Sequence, residues 1–200
     1  MQYPRVVNAA GTRGRLAVVV PGRRFGPYAP LLMFAGRAAC DRGAQLRPLT
    51  WDEDDLREAE QSNADPADWV GAHVREKLPS PQTGDSSLLI GKSMGSYAAA
   101  FAAERRLPAI RLTPLLRDPA VVDALRIATA PFLLIGGTAD LDAWLPQMAT
   151  GLTPHVLQVP DADHGMYVPG PLAQSTAVLG EVVTAIETFL DDTVWPDPTS

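Results

Sequence analysis

The sequence predicts a three-layer α/β/α sandwich around a mostly parallel sheet of about six strands. Three observations lead there. Apolar, β-branched runs alternate with longer amphipathic or Ala-rich segments from one end to the other. The runs are apolar throughout rather than alternating, as strands covered on both faces are. Strands separated by helices also require right-handed crossovers, which place helices on both sides of the sheet. The length of 200 residues suits one domain, read as residues 1–190, followed by a tail over 191–200 whose two prolines predict fraying.

The first strand is Leu16–Val20, stopped by Pro21-Gly22. Residues from Pro27 to about Arg42 carry Leu31, Leu32, Phe34 and Ala35 on one stripe before Gly43, which predicts a helix. Gln45–Trp51 reads as a strand and acidic Asp52–Glu60 as a solvated loop or helix start. Asp65-Pro66 opens a helix to about Leu78, since proline fits a first turn. A turn-rich linker (Pro79–Asp85) precedes a short strand, Ser87–Ile90, and an Ala-rich helix, Tyr97–Arg106. The remaining strands are Ala109–Thr113, Pro131–Ile135 and His155–Val159, with helices near Ala120–Leu125 and over Leu172–Leu190.

Net charge is −6, so there is no cationic excess with which to bind nucleic acid or an anionic membrane. The longest apolar stretches are too short to span a bilayer, and the N-terminus lacks a basic segment followed by an apolar run. The expected location is the cytoplasm. The single cysteine, Cys40, has no disulfide partner and reads as a small buried apolar residue.

The most informative segment is Leu88-Leu-Ile-Gly91-Lys92-Ser93-Met94-Gly95-Ser96. It sets Gly-x-Ser-x-Gly where a buried strand passes into a helix, the setting of a nucleophile elbow. The turn is tight and strained, so Gly91 and Gly95 are needed to avoid collisions with neighbouring elements. The alternatives are an idle serine in a tight turn and a phosphate loop, because Gly91-Lys92-Ser93 ends like a Walker motif. That motif requires glycine at position 86, which is serine.

A serine hydroxyl needs a base, and the base needs an orienting acid. Of the three histidines, His73 lies mid-helix and reads as a surface residue, and His155 begins a strand. His164 sits in Asp161-Ala-Asp-His164-Gly165, after the last strand and on the same sheet edge as Ser93. Asp140 follows Gly136-Gly137-Thr-Ala at the end of the preceding strand. Asp142 competes with it but reads as a carboxylate inside a helix start, while Asp161 and Asp163 read as loop or capping residues, either of which could alternatively orient a nearby base.

Gly91-Lys-Ser-Met-Gly95, Gly137-Thr-Ala-Asp140 and Asp163-His164-Gly165, in this order, resemble the α/β-hydrolase superfamily. The likeness is to its small dienelactone-hydrolase-like and carboxylesterase-like members, over about Leu16 to Leu190. The resemblance implies a serine hydrolase of small esters or related acyl compounds, with Ser93 attacking, His164 moving the proton and Asp140 holding the imidazole. A dienelactone hydrolase proper would carry cysteine where Ser93 stands. The alternative is a non-catalytic binding or scaffold protein of the same fold.

The oxyanion donors expected are the N–H of Met94 and one from the loop after the first strand, placed at Arg23 with Arg24 as alternative. Arg24, Phe25 and Met166 are candidate substrate-binding residues, with Tyr28 and Met94 as further candidates to line an apolar acyl pocket. Members of this superfamily often insert a lid before the fifth strand. Too few residues are available here, so no cap domain and an open, shallow site are expected. No metal-ligand spacing and no dinucleotide fingerprint occurs, so no metal and no organic cofactor is implied. The expected partner is a small acyl substrate.

Overall fold

Every predicted strand forms, and the side chains of the inner strands divide alternately between two apolar layers. The computed structural model describes residues 14–24, 26–78 and 86–196. β1 (Arg15–Val20), β2 (Ala44–Pro48), β3 (Ser86–Lys92), β4 (Ala109–Leu112), β5 (Phe132–Gly137) and β6 (Val156–Val159) form one sheet. Its order is β2-β1-β3-β4-β5-β6, with every neighbouring pair parallel. Val19, Ile90, Leu112 and Ile135 point into the layer shared with α1 (Pro30–Asp41) and α7 (Leu172–Phe189). Val18, Leu89, Ala109 and Leu134 face the opposite layer, with α3 (Pro66–Lys77), α4 (Ala99–Arg105) and α5 (Pro119–Ile127). Burying each Leu or Ile this way stabilises the fold by roughly 1.5–3 kcal/mol before ordering costs.

Local chemistry sets the helix starts. Asp65 accepts the N–H groups of Ala67 and Asp68 ahead of Pro66, and Asp118 accepts that of Ala120 ahead of Pro119. The acidic segment expected as a loop or helix start is a full helix, α2 (Glu53–Gln61), capped by Asp52. The helix start expected around Asp142 comes later in the chain, at α6 (Pro146–Leu152). Asp142 lies in the turn before it, not inside a helix start.

The tail predicted to fray from Asp191 is ordered as far as Pro196. Leu190–Val194 extends α7 by a π turn, and Trp195 is buried with its Nε1 donating to Ser86 Oγ at 2.8 Å. Arg15 stacks its guanidinium over the same ring at 5.2 Å. One apolar anchor outweighs the polar, Pro-containing composition around it. Residues 197–200 lie outside the described residues. Among the described residues no helix is long and apolar enough to cross a membrane.

The strand order places the functional region. From β1 the chain goes first to β2 on one side and then to β3 on the other, so the direction of winding reverses between β1 and β3. Connections diverge there, leaving a crevice beyond the strands' carboxyl ends where ligands of open α/β sheets bind. Gly22 leaves β1 and Ser93 leaves β3 at that crevice.

Candidate active site

The turn at Ser93 has the strain and crowding that its glycines imply. Ser93 sits at φ +52°, a left-handed conformation unfavourable for a residue with a side chain. A Cβ on Gly91 would stand 2.6 Å from the Gly95 carbonyl oxygen, and one on Gly95 only 2.2 Å from that of Val20. The predicted helix after the elbow begins as a 3-10 turn (Ser93–Ala98) and becomes α-helical at Ala99. Ser96 Oγ ties this turn down, donating to Ser93 O and accepting the N–H of Leu115.

Asp140 and His164 arrive on two loops that are bound to each other. Gly137 closes against the Ala162 carbonyl, where a Cβ would stand at 2.0 Å, and Ala139 N donates to that same oxygen at 3.0 Å. Thr138 N donates to Val159 O, and Asp161 N to Thr138 Oγ1. The result brings His164 Nδ1 to 2.7 Å from Asp140 Oδ2. The Asp140 side chain is 3% exposed and that of His164 41%. An ionised carboxylate only accepts, so Nδ1 carries the proton and Nε2 is free to take one. Asp163, predicted to be a loop or capping residue, accepts the N–H groups of Gly165 and Tyr167 and so shapes the turn that carries the imidazole.

Ser93 and His164 line one cavity of about 680 Å³, within the range of small-molecule sites. No hydrogen bond joins them among the described residues; such bonds commonly tighten only once substrate is bound. Leu31 from α1, Leu172 and Leu179 from α7, and Met166 supply the apolar wall. These residues place the amino end of α1 and the first half of α7 beside the cavity. Residues 113–131, between β4 and β5, hold the single helix α5, so no cap domain is inserted there.

The other predicted residues fall as follows. Gly22 approaches closely: a Cβ there would lie 3.2 Å from Ser93 Cβ and 3.8 Å from its Oγ. Arg23 and Arg24, both exposed, line the cavity, and Arg23 also pairs with Glu60. Met166 is buried on the cavity wall at φ +65°. The Met94 side chain packs in the opposite layer, and its N–H belongs to the first helical turn, where N–H groups lack partners within the helix. Phe25 lies outside the described residues, and Tyr28 is exposed and does not line the cavity. Cys40 is buried, which pushes its thiol pKa up.

Three further residues pack around this region, and none of them is expected from the sequence to belong to it. Lys92, 7% exposed, donates to His164 O at 3.0 Å and to Thr113 Oγ1 at 3.1 Å; a lysine closing an otherwise apolar strand is the signal that could have found it. Arg111 is buried behind the elbow, donating to Gly95 O, with Nε and Nη2 unpartnered among the described residues. Burial pushes its pKa down to about 10, so it stays charged at neutral pH. Trp51 donates to the Pro21 carbonyl at 3.2 Å, bracing the loop that carries Gly22. His73, expected at the surface, is half-buried beside Trp51, its ring 4.1 Å from that of Trp69 and 5.6 Å from that of Trp51. His155 packs against Phe189. Among the described residues no group of three or more His, Cys, Asp or Glu side chains could hold a metal ion.

No protein-family model matches the sequence, and no curated protein does. Solved structures do match the fold. The dienelactone hydrolase from Anabaena variabilis superposes with a TM-score of 0.62 at 17% identity, over 92% of this chain and 88% of that one. A lidless α/β serine hydrolase from Xanthomonas campestris gives 0.59 at 20% identity, over 98% and 88%. Est1E from Butyrivibrio proteoclasticus, solved with ferulic acid bound, gives 0.63 at 14% identity, over 92% and 91%.

Proposed function

This chain has the α/β-hydrolase fold, and from that premise we propose that it is a serine hydrolase of small ester or related acyl substrates. One observation carries the reading: an imidazole held at 2.7 Å by a buried carboxylate lines the same cavity as a serine in strained, left-handed backbone. In the proposed reaction Ser93 Oγ attacks the substrate carbonyl while His164 Nε2 takes its proton. Asp140 stabilises the resulting imidazolium and keeps the ring in the productive tautomer. His164 then returns the proton to the departing alcohol, leaving an acyl group on Ser93. Water, deprotonated by the same imidazole, releases the acid.

The tetrahedral oxyanion would be met by the Met94 N–H and by that of Arg23, or alternatively Arg24, each contributing on the order of 3 kcal/mol. Leu31, Leu172, Leu179 and Met166 offer an apolar surface for the acyl or alkyl part. Arg24 stands at the rim beside them, where it can meet a polar or anionic group.

The test combines covalent labelling with turnover. A fluorophosphonate probe is expected to modify Ser93, and short-chain p-nitrophenyl esters are expected to be hydrolysed. Ser93→Ala should do neither. A folded wild-type chain with no turnover above that variant and no label would instead be a hydrolase-fold binding protein.

A further inference from the structure

Lys92 adjoins Ser93 in the chain and is the one charged residue of β3. It falls in the register of Leu88 and Ile90, which face α1 and α7, and it lines the cavity. A buried ammonium is unfavourable unless its protons find acceptors and its charge a counter-charge. Two acceptors are in place. One is the main-chain oxygen of His164 at 3.0 Å and the other the hydroxyl of Thr113 at 3.1 Å. Burial pushes the Lys92 amine below its usual range, and the Asp140 and Asp163 carboxylates push it back up. Thr113 itself is fully buried at φ +43°, a strained setting for a β-branched residue, with its N–H on Ile135 O at 2.7 Å. The ammonium thus joins the ends of three elements: the elbow after β3, the strained exit of β4 and the loop after β6.

We propose that Lys92 is a positioning residue for the Ser93–His164 pair, clamping the backbone of the base to the strand that ends in the nucleophile. This rests on the hydrolase reading above. An apolar side chain could fill the same space; what lysine adds is a donor fixing the His164 loop relative to Ser93. A displacement of about 1 Å between reacting groups can lower a rate roughly 10²-fold, so a clamp at this point governs chemistry more than binding.

The test compares Lys92→Met, Lys92→Arg and Thr113→Val in the full chain. It measures kcat and KM on a short-chain p-nitrophenyl ester per fluorophosphonate-titratable site, together with the thermal midpoint. Lys92→Met, similar in length but without donors or charge, is expected to lower kcat about 10²-fold with KM changed less than about twofold. Lys92→Arg should recover part of that loss, and Thr113→Val should lower kcat severalfold. A merely structural lysine would lower the thermal midpoint of Lys92→Met and leave kcat per site unchanged, which overturns the proposal. So does Lys92→Arg performing no better than Lys92→Met. If Lys92→Met does not fold, unchanged kcat in Thr113→Val is the overturning result. A wild type that takes no label removes the hydrolase reading and this proposal together. A wild type that labels while its variants match it removes only this proposal.

Discussion

Asp140→Asn is expected to lower kcat by roughly four orders of magnitude while the chain stays folded. The carboxylate accepts the Nδ1 proton of His164 at 2.7 Å from an almost fully buried position. An amide of the same shape can turn its NH2 toward that nitrogen. The imidazole proton then moves to Nε2, the atom that accepts the proton of Ser93 in the proposed reaction, and that base is lost. The stabilising charge opposite the imidazolium goes with it. The check is pre-steady-state acylation by a p-nitrophenyl ester, with circular dichroism reporting the fold. A variant retaining a tenth or more of wild-type kcat would mean another carboxylate orients the base.

Gly95→Ala should be the most disruptive single-methyl change at the elbow. The added carbon would meet Val20 O at 2.2 Å and Val20 C at 2.9 Å, both main-chain atoms of the central strand β1. Neither can rotate away, so the elbow must lift from β1 or the sheet must part. Overpacking usually costs about 1–3 kcal/mol, and a clash with backbone belongs at or beyond the top of that range. A loss of about 3 kcal/mol corresponds to a thermal midpoint lower by roughly 10 °C for a chain of this size. Turnover should fall as well, because the same shift moves Ser93. Gly180→Ala is the internal control: mid-helix in α7, exposed and with nothing within 4 Å of its Cβ position, it should gain up to about 1 kcal/mol. Equal midpoints for the two variants would contradict the steric account.

Much of this is legible in the sequence because the residues concerned act locally. The two glycines, the serine and the adjoining apolar strand lie in one short segment, and the strain at Ser93 follows from that segment alone. Asp140 and His164 are legible from their places just after β5 and β6, since parallel strands deliver such loops to one edge. The cavity's apolar lining is not, because it depends on where α1 and α7 pack against the sheet. Lys92 suggests by itself only a phosphate loop, as its partners lie on two later segments. Trp195 is hidden in a polar tail because its partner, Ser86, is more than a hundred residues away.

The strand order also bears on how the chain would lose activity. Ser93 directly follows an inner strand, β3, whereas the loop carrying His164 follows β6, a four-residue strand with one neighbour. Peripheral strands open at lower free energy than central ones. In rising urea, ester turnover should therefore disappear before the circular dichroism of the remaining five strands changes. Partial denaturation would unseat the His164 imidazole, the base of the proposed reaction, from a scaffold that still stands.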